Sequence, residues 1–258
     1  MASRNSTYSS GFTLIEISLV IVIIAVLIGM VVFSTQTRMD AARLYMTKQR
    51  MQTIMDSIDR YAELYGHIPC PMGLTTLRTS VDEYGVGAKM SNTTAPGATD
   101  CDDNDGDGDL IYVKAGLARG AVPFRLLNLD SQTAVDGWGN RFVYTITEPY
   151  SNSANYEDPS LEPATLSAAN SYEIFNQGDT NISASSNVAY TLISHGANLH
   201  GGYRDKSPTT PIPVAGASAD EDKNADSGGV YYQYLPTQDF DDIVIFKTRW
   251  QLPDYINE

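Results

Sequence analysis

Residues Gly11-Phe12-Thr13-Leu14-Ile15-Glu16, "GFTLIE", open an apolar run that continues as "ISLVIVIIAVLIGMVVF" to Phe33. Glu16 is its one ionisable side chain. At 1.5 Å per residue, about 22 residues make a helix of roughly 33 Å, the thickness of a bilayer core. A buried helix of that length in a soluble fold shows a polar face, and this run shows almost none. The run therefore predicts a membrane-spanning helix over 12–33. A carboxylate within such a helix is costly without a partner and marks function.

On the C-terminal side polarity returns but the helix signals persist. No Gly or Pro falls between Ser34 and Tyr65. Leu44, Thr47, Met51, Ile54, Ile58, Tyr61 and Tyr65 recur at alternating spacings of three and four, which draws one apolar stripe along an amphipathic helix over 34–65. Arg38, Lys48, Arg50, Asp56, Asp59 and Arg60 lie mostly off that stripe. A continuous helix over 12–65 would be about 80 Å long, ending at Gly66 and Pro69. The stripe is the face on which a folded head packs.

From Gly66 to Glu258 short apolar runs alternate with Gly, Pro, Asp, Asn and Ser. "LIYVKAG" (110–116), "RFVYTIT" (141–147), "VAYTLISHG" (188–196), "GVYYQYL" (229–235) and "DIVIFKTRW" (242–250) read as strands. "DGWGN" (136–140) and "HGANLHGG" (195–202) read as turns, and 204–228 as a long irregular loop. Leu126–Leu129 and Ser160–Ala169 read as short helical turns.

The chain has 258 residues and a formal charge of −14, from 17 Lys and Arg against 31 Asp and Glu. That balance argues against binding nucleic acid through phosphate contacts. Cys70 and Cys101 both follow the apolar run. An even count beyond a membrane suits one disulfide, closing a loop of about 30 residues and stabilising by about 3–4 kcal/mol. His67, His195 and His200 are the only histidines, and no HExxH, GxSxG, Walker A or dinucleotide fingerprint occurs. The sequence therefore reads as a non-enzyme, with His195 at a turn or surface.

The opening motif resembles the type IV prepilin signature shared by pilins and the pseudopilins of type II secretion. That resemblance implies cleavage between Gly11 and Phe12 by a prepilin peptidase, N-methylation of Phe12, and Glu16 as the family's acid at the fifth mature position. It also implies a helical filament of identical or homologous subunits, in which Glu16 meets the Phe12 amine of a neighbour. Pairing within one subunit, or a Glu16 reaching back to the interface, are the alternatives. Weaker similarities to the major pseudopilin continue in order along the chain: "IDRYAELYGHIPCPMGLTTL" (58–77), "DGWGNRFVYT" (136–145), "YTLISHGANLHGG" (190–202), "NAD" (224–226) and "DDIVIF" (241–246). The chain departs by insertions near 78–120, 148–188 and 203–223, and by Asn198 where the family loop tends to have Asp.

Two places suggest calcium. In "CDDNDGDGDLI" (101–111), Asp103, Asp105 and Asp107 alternate before Gly108 and Asp109, as in the first half of an EF-hand loop, but Lys114 stands where the closing Glu belongs. A solvated acidic turn is the plainer reading. The resemblance implies a second site, in the C-terminal loop that major pseudopilins use for calcium, at Asp226 and Asp242. Against it stand turn-forming Asp residues that bond their own backbone.

These readings combine into an α+β, pilin-like fold: a leader over 1–11, a membrane half over 12–33, an amphipathic half over 34–65, and a β-rich head over 66–258 packed as an antiparallel sheet on the helix. The expected function is a structural subunit held in the bacterial inner membrane with its head in the periplasm. An assembly platform and ATPase would draw it into a type II secretion pseudopilus. A major or minor type IV pilin is the first alternative. A single-pass anchored periplasmic binding protein or enzyme is the alternative of another class.

Overall fold

The computed structural model describes residues 11, 13–80, 82–87, 101, 112–114, 117–151, 173–183, 188–226, 228–237 and 239–253, without the side chains of 29–37 and 112–114. In chain order the elements are α1 (Leu14–Tyr65), β1 (Tyr112–Lys114), β2 (Leu117–Ala121), β3 (Val143–Thr147), β4 (Glu173–Phe175), β5 (Val188–Ser194), α2 (Ala219–Ala225), β6 (Val230–Tyr232) and β7 (Ile243–Thr248). The chain divides into two units, Met1–Leu44 and Tyr45–Glu258.

In the first unit every described side chain from Leu14 to Ile28 is exposed, including Leu14 at 92%, Ile15 at 76% and Leu27 at 57%. Thr13 and Glu16 bond reciprocally at the start of α1. The Glu16 N–H donates to Thr13 Oγ1 at 3.3 Å, and the Thr13 N–H donates to Glu16 Oε2 at 2.9 Å. This is a capping box, which satisfies amides that the first helical turn leaves without partners. Among the described residues no helix is long and apolar enough to cross a membrane. The described side chains of the apolar run stop at Ile28, short of the about 20 residues that a span needs.

The second unit is α+β, built around an antiparallel sheet in the order β1-β2-β3-β5-β7. The C-terminal half of α1 buries Thr47, Met51, Ile54, Ile58 and Ala62. Burial of Met51, Ile54 and Ile58 stabilises by about 1.5–3 kcal/mol each. The stripe departs from the sequence reading at its end: Ala62 is buried and Tyr65 is exposed. A helical turn of 3.6 residues keeps 47, 51, 54, 58 and 62 in line, while 61 and 65 drift to the flank. Gly66 then takes φ +68°, a left-handed conformation that glycine adopts without strain, and its N–H closes the helix on the Ala62 carbonyl at 2.9 Å.

Both faces of the sheet are covered. Val143, Ile193 and Val244 stand in register on one face and join Met72, Leu74, Ile174 and Tyr231 in the core. Tyr144, Ile146, Tyr190 and Leu192 point to the other face. Lys247, opposite Tyr190 in register, forms an ion pair with Asp59 of α1, which sets the helix on that face. The predicted turn at 136–140 ties the two together. Asp136 accepts from the Trp138 and Asn140 N–H groups at 2.9 Å and from Ser194 Oγ at 2.8 Å. Arg50 of α1 donates to the Val135 carbonyl at 2.8 Å. Cys70 and Cys101 form the expected disulfide, with their Cα atoms 5.4 Å apart.

Several elements differ from the sequence reading. Of the strand read in "LIYVKAG", 112–114 form β1 and the other residues lie outside the described ones; β2 over "LARGA" and β4 over "EIF" lie where none was predicted. β2 has no β-branched residue; its place between β1 and β3 comes from pairing, which overrides intrinsic preference. β4 and β6 pair parallel, outside the main sheet. The short helical turn read at Leu126–Leu129 overlaps turns over 124–128, where the Leu127 N–H donates to the Pro123 carbonyl at 3.2 Å. Ser160–Ala169 lies outside the described residues. The stretch 204–228 is not wholly irregular, because α2 forms within it.

Candidate metal centre

Three segments meet beyond the C-terminal end of β5. The first is α2, which begins at Ser218. The Ser218 hydroxyl accepts from the Glu221 N–H at 3.3 Å, and Glu221 Oε2 accepts from the Ser218 N–H at 3.1 Å. This capping box fixes the Glu221 side chain against the helix start. The second segment is the turn after β5. Gly196 there has φ +56°, and a Cβ on it would lie 2.4 Å from the Asp241 carbonyl oxygen. Only glycine admits so close an approach in that conformation. The third is the Asp241-Asp242 pair leading into β7.

The three segments bring Glu221, Asp241 and Asp242 together, with one carboxylate oxygen from each lying within 4.8 Å of the others. Glu221 Oε1 accepts from Asn198 Nδ2 at 2.8 Å and from the Asp241 N–H at 3.0 Å. Asp241 Oδ2 accepts from the Ala197 and Asn198 N–H groups at 2.7 and 2.8 Å. Asp242 Oδ2 accepts from Asn224 Nδ2 at 2.9 Å. One oxygen on each aspartate is left over: Asp241 Oδ1 and Asp242 Oδ1 are buried without a hydrogen-bond partner. Two histidines flank the group. His195 Nδ1 lies 3.5 Å from Asp242 Oδ1, and His200 Nδ1 lies 3.5 Å from Glu221 Oε2. His195 stands at a turn, as expected, its carbonyl accepting from the Leu199 N–H at 3.1 Å, but it is fully buried rather than at the surface, because Gly196 turns the chain directly under Asp241.

Burial pushes the Asp241 carboxyl up to about 6, and the charges of Asp242 and Glu221 add to that against two backbone N–H bonds. Burial also raises Glu221, but its hydrogen bonds from the Asp241 N–H, Asn198 and Ser218 outweigh it and hold the group below its usual value. Crowded carboxylates of this kind repel one another unless a cation or proton sits among them. Two unpartnered buried carboxylate oxygens fit a hard divalent ion such as calcium, which takes oxygen ligands in flexible geometry, while the unpartnered ring nitrogens of His195 and His200 stand beside the same carboxylates.

Of the metal residues expected from the sequence, Asp242 belongs to this group. Asp226 does not: its side chain is exposed, and its backbone carbonyl accepts from buried Arg119. Asp103, Asp105, Asp107 and Asp109 lie outside the described residues, as does Phe12. Gly11 is described and exposed, and Glu16 is held by Thr13, whose hydroxyl also donates to Oε2 at 2.9 Å. Glu221 and Asp241 were missed by the sequence reading. The Ser218-x-x-Glu221 spacing signals a capping box, and Asp241 sits beside a residue already singled out. No family model, no curated protein and no solved structure matches the chain.

Proposed function

We propose that this protein is a non-enzymatic subunit of a type IV pilus-like filament, of the type II secretion pseudopilin kind, stored in the inner membrane before assembly. The observation that carries this reading is the first half of α1. It presents apolar side chains on every described side from Leu14 to Ile28, and it carries one acid, five residues after Gly11. Apolar surface on all sides of a helix needs lipid or other such helices around it.

In the monomer Glu16 is parked on Thr13. In the filament it turns to the positive N-terminal amine of a neighbouring Phe12, exchanging neutral partners for a charged one. The contact is heterologous, as an open helical polymer requires. Prepilin peptidase, a methylating activity and an inner-membrane assembly platform are the partners this implies. In the head, Glu221, Asp241 and Asp242 hold calcium and lock α2, the turn after β5 and the entry to β7 as one block.

Glu16→Ala tests the assembly step. The variant is expected to reach the membrane and fold its head normally but to enter filaments at least tenfold less, read by shearing and immunodetection. Wild-type incorporation would defeat the pairing argument. A type IV pilin is the nearest alternative, and the dependence of export or of surface pili on this subunit separates the two.

A further inference from the structure

β2 carries one charged residue, Arg119, and it is 4% exposed. Its guanidinium donates to the carbonyls of Asp226 and Asn224 at the C-terminal end of α2 and lies 5.9 Å from the centre of the Tyr231 ring. These are partial charges and a ring face, not a counter-ion. Arg141 makes the contrast. It is equally buried, donates to the Leu74 and Thr76 carbonyls, and has the buried carboxylate of Asp205 at 3.1 Å. Among the described residues no carboxylate pairs with Arg119. A buried cation with no acid paired to it is an expensive arrangement.

Arg119 also lines a cavity of about 310 Å³. The other walls are mainly apolar: Leu74, Tyr203, Ile212 and Val214, with the exposed Asp226 alongside. The Ile212 wall is pinned, because its carbonyl accepts from the Gly201 N–H and its N–H donates to the Gly202 carbonyl, both at 2.9 Å. A concave site of this size with apolar walls and one convergent polar group suits a small ligand.

We propose that this cavity binds a carboxylate carried on an apolar body of about four to eight carbons. The carboxylate meets the guanidinium N–H groups of Arg119 that the Asp226 and Asn224 carbonyls leave over, and the body lies against Leu74, Tyr203, Ile212 and Val214. The exposed Asp226 carboxylate, which lines the same cavity, repels a phosphate ester or a polyanion more strongly than a monoanion. A free branched acid and the C-terminal carboxylate of an apolar peptide share this chemistry. The site does not depend on the filament reading, since all its residues belong to the folded head.

The test uses the full chain in lipid nanodiscs and saturation-transfer NMR with 4-methylpentanoate, beside its uncharged isostere 4-methylpentanamide. The acid is expected to bind at least tenfold more tightly than the amide. Val214→Asp, a half-buried wall position that does not touch the Arg119 hydrogen bonds, is expected to weaken the acid at least tenfold with an unchanged melting temperature. Acetyl-Gly-Leu with a free C-terminus distinguishes the sources: displacement of the acid assigns a chain terminus, and failure to displace assigns a free acid. Absence of saturation transfer at about 10 mM acid, equal binding of acid and amide, or full binding by Val214→Asp would overturn the proposal.

Discussion

The two halves of α1 share a backbone conformation and little else. From Leu14 to Ile28 every described side chain is exposed and nearly all are apolar. From Tyr45 to Tyr65 one stripe is buried, and the rest of the surface carries Gln, Asp, Arg and Glu. The second half is stabilised by its own head, through the Met51, Ile54 and Ile58 contacts, the Arg50 bonds to the 135–136 backbone and the Asp59–Lys247 pair. The first half has no such partner among the described residues. On the proposed reading, lipid or other copies of the chain cover it, and one helix serves the fold in one half and the assembly in the other.

The comparison is broken most directly by paired truncations. Ile58→Ala should cost about 2–5 kcal/mol of head stability by leaving a cavity under α1. Ile24→Ala should stay within about 0.5 kcal/mol, as for a position the head does not use. Equal losses in denaturant unfolding would erase the distinction. Next in size is the disulfide: Cys70→Ser with Cys101→Ser should remove about 3 kcal/mol from the head and leave membrane insertion of the apolar half unchanged.

Calcium sharpens the account within the head. At one hundred times its dissociation constant it should stabilise by about 2.7 kcal/mol, read as a rise in melting temperature. Asp242→Asn should abolish that rise while leaving the stripe packed. The smallest effect is on pH. The Asp241 carboxyl, pushed up to about 6 when folded, has an unfolded value of about 3.9. The folded state therefore holds the extra proton between those values. This group contributes stability that is complete below about pH 4 and lost as pH rises through 6. Metal-free protein should lose about 2 °C from this group between pH 5 and pH 7, a small shift because the carboxyl is only half buried. Asp241→Asn should flatten that slope. Calcium should bind progressively less well below pH 6, where it competes with the proton.

The α1 stripe was legible because helical period and burial coincide over four turns, and β3, β5, β6 and β7 because β-branched and aromatic residues concentrate there. "LARGA" gave no such signal, since β2 owes its place to neighbours on both sides rather than to its own residues. α2 was legible only through Ser218 and Glu221, a cap spacing inside a stretch otherwise rich in Pro and Asp. The acidic cluster was half legible. Asp242 could be reached from the order of motifs, but Glu221 and Asp241 acquire meaning only when Gly196 lets two segments approach. The dense run at 101–109 drew attention by proximity in sequence, whereas the described cluster comes from residues up to 21 positions apart that the fold collects.

The claim that the exposed half of α1 is a processed assembly element is tested most directly at its N-terminus. Intact-mass analysis of the protein purified from membranes is the decisive measurement. The account predicts a chain beginning at Phe12 and heavier by one methyl group. A chain that retains Met1–Gly11 would contradict it and leave α1 as an anchor alone.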